Sequence, residues 1–146
     1  MNTVANFTRQ SLWVVLSAGA VLIAGCANMG MTDSIQVTLS GSQEVPPVTT
    51  AASGSGNITV SADKAVSGNV TTTGLVGVAA HIHDGAPGKN GPVIVPLAKS
   101  SDNGWSVPAG AKFTDAQYAS YKAGNLYINV HTAAHKGGEI RGQLKP

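Results

Sequence analysis

Four histidines occur in the 146-residue chain, and all of them fall in two motifs. "HIHDGAPGKNG" (81–91) carries His81 and His83, and "NVHTAAHKGGEIRG" (129–142) carries His131 and His135. Neutral imidazole is a preferred ligand of zinc and copper, with metal–nitrogen bonds near ~2 Å. Two histidines one residue apart on a strand point to the same side. They stand about 6.6 Å apart at roughly 3.3 Å per residue, close enough for both to lean onto one ion. His131 can join them from a neighbouring strand, and His135 from the loop four residues on. Asp84 and Glu139 stand beside the motifs as further ligands. The opposing reading is a polar strand face whose histidines are hydrogen-bonded for structure, with Asp84 bonding its own backbone in a turn. An H-x-H pair alone is an incomplete coordination set. Confinement of every histidine to two motifs favours a site, and at this point both readings stand.

Other chemistries find less support. The chain has no G-x-S-x-G, no phosphate-binding P-loop motif and no H-E-x-x-H. Glu139 and Arg141, two apart in "GGEIRG", share a strand face, and the geometry of Arg suits a carboxylate fork. Their expected role is a structural ion pair, with neighbours or with Glu44 of "EVPP". The glycines of "APGKNG" and "KGGE" suit turn positions with positive φ rather than phosphate binding. With nine Lys and Arg, seven Asp and Glu and a net charge of +2, no basic surface for nucleic acid is indicated. These observations point to a protein that is not an enzyme.

The elements that must position the histidines read as strands. "IQVTLSG" alternates Ile35, Val37 and Leu39 against Gln36, Thr38 and Ser40, the period of a half-buried strand. "EVPPV" interrupts it, because paired prolines cannot donate to a ladder. "SGNITVSA", "AVSGNVTTTG", "VGVAAHIH", "PVIVPL", "GWSV", "LYINVH" and "GEIRGQL" follow, separated by Gly, Pro and Asn turns. In "VAAHIH", Val78, Ala80 and Ile82 share one face, opposite Ala79, His81 and His83. In "LYINVH", Leu126, Ile128 and Val130 share the core face, opposite Tyr127, Asn129 and His131. Val78, Ala80, Ile82, Leu126, Ile128, Val130, Ile140 and Leu144 are therefore expected inside. One helix is predicted over Thr114 to Lys122, with Thr114 as N-cap, Gly124 as the stop, and Tyr118 and Tyr121 facing the sheet. The pattern as a whole predicts an all-β fold, an antiparallel β-sandwich with one short helix.

The N-terminus differs from the rest. "MNTVANFTRQS" holds Arg9 and no acid, and the apolar run "LWVVLSAGAVLI" is shorter than the roughly 20 residues of a membrane span. Residues 1–25 are read as a signal peptide. "Leu22-Ile23-Ala24-Gly25-Cys26" resembles the lipobox of bacterial lipoproteins, which implies that Cys26, the only cysteine, is lipidated and becomes the first mature residue. Residues 26–34 then form a lipidated tether and 35–146 the domain. Ala27 is not the aspartate that retains lipoproteins at the inner membrane. The resemblance therefore implies attachment to the outer membrane through the lipid anchor, facing the periplasm.

"LSGSQEVPPVTTAASGSG", "AAHIHDGAPGKNGPVIVPL" and "NLYINVHTAAHKGGEIRGQL" together resemble the successive signature blocks of the CHRD family, the domain first named in chordin. The resemblance covers about residues 35–145 and implies an antiparallel β-sandwich. Chordin itself is extracellular and binds growth factors, a partner that does not carry over, and no protein partner is read from the sequence. A looser similarity, H-x-H on a strand before a glycine-rich loop, is to the copper–zinc superoxide dismutase sandwich. That enzyme needs more histidines than this chain has, and a disulfide. Dismutase activity is therefore rejected, while copper or zinc stays as the expected ion at His81, His83, His131 and His135. The alternative function is an envelope interaction or scaffolding module whose histidines are structural.

Overall fold

Alternation of apolar and polar residues makes strands of most of the chain, and a computed structural model describes residues 32–146. Cys26, the signal peptide and most of the tether lie outside the described residues. In chain order the elements are β1 (Thr32–Ser40), β2 (Ser53–Ser61), β3 (Val66–Thr73), β4 (Gly77–Asp84), β5 (Val93–Pro96), β6 (Ala98–Ser101), β7 (Gly104–Ser106), α1 (Asp115–Lys122), β8 (Leu126–Thr132) and β9 (Ile140–Leu144). A 3-10 turn, Gly41–Gln43, leads into the Glu44-Val45-Pro46-Pro47 segment, where the Val45–Pro46 peptide is cis.

All strands pair antiparallel in the order β5-β4-β8-β9-β1-β2-β3-β7-β6. The two ends of this sheet return to one another. Leu97, between β5 and β6, donates its N–H to Ala80 O of β4 at 2.9 Å, and Lys99 of β6 donates from Nζ to Gly77 O at 2.9 Å. The nine strands are thus nearly closed around a core that includes Leu39, Ile58, Val70, Ile82, Ile128 and Ile140. Each such side chain contributes roughly 1.5–3 kcal/mol through burial.

The helix matches its expectation. Thr114 Oγ1 accepts from Gln117 N at 3.2 Å while Gln117 Oε1 accepts from Thr114 N at 2.9 Å, a capping box. Gly124 follows with φ of 71°. Tyr121 is buried, and its ring stacks on that of Tyr118.

Three expectations need correction. Val78 is 60% exposed, while Ala80 and Ile82 are buried as expected. Gly77 pairs with Thr132 and Ala79 with His131, so two steps on β4 match one on β8. Val78 is the extra residue of a β-bulge, and parity restarts after it. β1 begins at Thr32, not Ile35, because Thr32 to Ser34 continue the pairing with Ser61 to Thr59. "PVIVPL" gives the short β5, after which "AKSS" makes β6, a strand with four exposed residues and no alternation to announce it.

The face opposite the core on β4, β8 and β9 is not a solvent face. Tyr127, Asn129 and Arg141 are all buried. Gln143 Nε2 donates to Gly85 O at 3.0 Å, Asn129 Nδ2 to Gly137 O at 3.3 Å, and Asn90 Nδ2 to Val45 O at 2.8 Å. Three loops, near residues 44–48, 85–91 and 133–138, therefore roof this face. Gly88 and Gly138, in two of them, have φ of 74° and 127°, as turn glycines should.

Candidate metal centre

The register of β4 and β8 sets the geometry. Ala79 pairs with His131, His81 with Asn129 and His83 with Tyr127, so one face carries His81 and His83 beside Tyr127, Asn129 and His131. One ring nitrogen from each of His81, His83 and His131 lies within 4.8 Å of the others. Three ligands ~2 Å from one ion stand about 3.3–3.5 Å apart, so closing on an ion needs a contraction of about 1.5 Å at the longest separation.

Hydrogen bonds fix how the rings are presented. His83 Nδ1 lies 2.9 Å from Gly91 O, and His131 Nδ1 lies 2.8 Å from Lys136 O. A carbonyl only accepts, so both Nδ1 atoms carry the proton and both Nε2 atoms keep the lone pair. His81 Nδ1 then donates to His131 Nε2 at 3.0 Å. His83 Nε2 is buried and has no close hydrogen bond, the Asn129 side chain being the polar group beside it. Backbone carbonyls orienting metal-binding histidines through their second nitrogen are a recurrent outer-shell arrangement.

The His83 ring is held on its flank as well. It stacks on Tyr127 at a centroid distance of 4.8 Å with 7° between the planes, and the Arg141 guanidinium covers Tyr127 at 3.4 Å. Gly91 ties the stack together: its carbonyl accepts from His83 Nδ1–H, and its N–H donates to Tyr127 Oη at 3.2 Å. Arg141 Nη2 donates to Ala86 O at 3.3 Å and Lys89 O at 3.0 Å, fastening the loop that contains Gly91.

Burial lowers the pKa values of His81 and His83, and neighbouring histidines lower them further. Both shifts favour the neutral form that ligates. Glu44 is buried, and that desolvation raises its pKa to about 7 against the opposing pull of Arg141. Its Oε1 has no hydrogen-bond partner, and the Asn129 side chain lies beside both it and His83.

Of the four histidines named from sequence, the fold gathers three. His135 does not join them. It sits at the rim of a cleft of about 330 Å³ that Glu44, Asn90 and Gly138 also line. Its N–H donates to Thr132 Oγ1 at 3.1 Å and its carbonyl accepts from Gly138 N at 3.1 Å, a local turn that leads the chain away. Asp84 does not take the fourth place either. The expected ion pair of Arg141 is replaced by bonds to carbonyls and Gln143, while Glu139 accepts from Thr50 and Thr132. Among the described residues, the ion pairs are Lys64–Asp115 and Lys112–Asp63, neither of which includes a residue of this site. Tyr127, Asn129 and Gly91 support the site without having been singled out by their motifs. The period of "LYINVH" does place the first two on the face of His131.

Comparison with known proteins is specific on one point. The CHRD domain profile matches residues 35–144. Neither a curated protein nor a solved structure matches the chain.

Proposed function

The chain belongs to the CHRD domain family, and from that premise we propose that it is a lipid-anchored, non-enzymatic envelope protein that holds one copper or zinc ion between His81, His83 and His131. The observation that carries this reading is the convergence of one ring nitrogen from each of His81, His83 and His131 to within 4.8 Å of one another, away from any carboxylate among the described residues. The three-ligand set leaves a coordination position open, which suits an exchangeable ion more than a structural one.

Anchoring is supported by the apolar segment that ends at "AGC" and by the absence of aspartate at position 27. Two acyl chains give stable attachment at roughly 0.8 kcal/mol per buried methylene. The lipid would hold the domain at the periplasmic side of the outer membrane.

The test is metal analysis of the purified protein after loading with copper and with zinc. One ion per chain should survive desalting and be lost in a His81→Ala, His83→Ala double variant. Equal retention in that variant, or no retention by the wild type, would favour the scaffolding alternative. For the anchor, Cys26→Ser should release the protein from the membrane fraction, and unchanged association would count against lipidation.

A further inference from the structure

We propose that this site selects a monovalent ion, Cu(I), over the divalent ions Cu(II) and Zn(II); the inference rests on the metal reading above and narrows it. Charge is the argument. All three ligands are neutral imidazoles, and no carboxylate belongs to the cluster among the described residues. The Nδ1 atoms of His83 and His131 are backed by the carbonyls of Gly91 and Lys136. Many divalent sites back their histidines with a carboxylate, which adds negative charge to the ligand shell. Nothing comparable is present here.

Instead, a positive charge lies behind the site. The Arg141 guanidinium is buried, 3.4 Å from the Tyr127 ring, which in turn lies 4.8 Å from the ring of His83. An ion on His83 Nε2 would stand roughly 10 Å from that charge. At an effective dielectric of about 20, each added unit of positive charge on the ion is disfavoured by about tenfold in affinity. Burial raises the pKa of Glu44, which acts on Arg141, to about 7, so in mildly acidic solution, where the comparison is made, it offsets little of that charge. Three ligands are also a sufficient set for a monovalent copper ion, whereas a divalent ion must recruit water or another group to the open position.

The experiment uses the full chain in mild detergent, with Ag(I) as the redox-inert stand-in for Cu(I), and Zn(II) and Cu(II) as the competitors. Wild-type protein should retain Ag(I) in competition with either divalent ion. Arg141→Gln should raise the affinity for Zn(II) and Cu(II) relative to Ag(I) by about tenfold, and the copper reduction potential should fall by about 59 mV, the one-electron equivalent of that factor. Arg141→Lys retains a cation there and should lie closer to the wild type than to Arg141→Gln in both preference and potential. Loosening of the 85–91 loop in either variant would weaken all three ions together, and only loss of charge separates them by valence. Tighter binding of Zn(II) or Cu(II) than Ag(I) by the wild type would overturn the proposal. So would an Arg141→Gln protein with an unchanged potential. The wild-type comparison decides alone if that variant fails to fold. Failure of the wild type to hold any of the three ions would instead overturn the metal reading itself.

Discussion

Replacing Glu44 by Gln should flatten one component of the protein's stability against pH. In the fold the carboxyl keeps its proton up to about pH 7, because burial disfavours the anion, whereas its ordinary value is 4.5. The raised value means that the folded state binds the proton more tightly than the unfolded chain. Glu44 therefore costs stability progressively as pH rises from 4.5, and the cost is complete above 7. Each tenfold gain in proton affinity corresponds to about 1.36 kcal/mol, so the full penalty is about 3 kcal/mol. The part that develops between about pH 5 and 8.5 is roughly 2 kcal/mol after allowance for solvent screening. Gln is nearly isosteric with the protonated acid and cannot ionise. Urea unfolding of both proteins across this range gives the difference directly. The lowered pKa values of His81 and His83 add a slope of opposite sign below pH 6.5, but it is common to both proteins and cancels. Glu44→Gln should gain on the wild type by about 2 kcal/mol by roughly pH 8.5. A difference constant to within about 0.5 kcal/mol, or one that runs the other way, would refute the reasoning.

Three further outcomes can be checked alongside it. Metal retention should persist below the free-imidazole value of about 6.5, because the pKa values of His81 and His83 are lowered and protons compete later; a half-loss above pH 6.5 in a chelator titration would contradict this. A Cβ at Gly91 would overlap the Asp84 carbonyl, so Gly91→Ala should displace the peptide that orients His83 and Tyr127. Its metal affinity, read by competition, should fall about 10- to 100-fold while the fold by circular dichroism is kept. Val78→Ser should change stability by less than about 0.5 kcal/mol, whereas Ile82→Ala on the same strand should cost about 2–5 kcal/mol in urea unfolding.

Period-2 alternation made the core rows of β4 and β8 legible, since Ala80, Ile82, Leu126, Ile128 and Val130 are all buried. It could not reveal Val78, because a bulge depends on how the partner strand pairs. The histidine trio was legible for the same reason of parity, but its surroundings were not. Tyr127, Asn129 and Arg141 read as one side of a polar strand face, and burying them takes the 133–138 loop together with two loops from roughly 40 to 90 residues earlier in the chain. Arg141 looked like one half of an ion pair because its chemistry invites a carboxylate. Carbonyls of the 85–91 loop fill that role, and a loop path is invisible to periodicity. His135 failed as a ligand through a four-residue turn whose direction Thr132 decides. By contrast, the helix cap was written locally in Thr114 and Gln117, and it formed as read.

The return of β6 to β4 bears on how many copies can sit side by side. An open sheet of this size would present two rows of unpaired backbone groups, each a template for a strand of another molecule. Here Leu97 N–H and Lys99 Nζ donate to carbonyls of β4, the strand beside β5, while β5 ends in Pro96 and β6 is four exposed residues long. Neither margin offers the long, flat run that strand-by-strand assembly requires. On the lipid tether proposed above, neighbours would be confined to a plane and meet often, and such domains could crowd without zipping into fibrils.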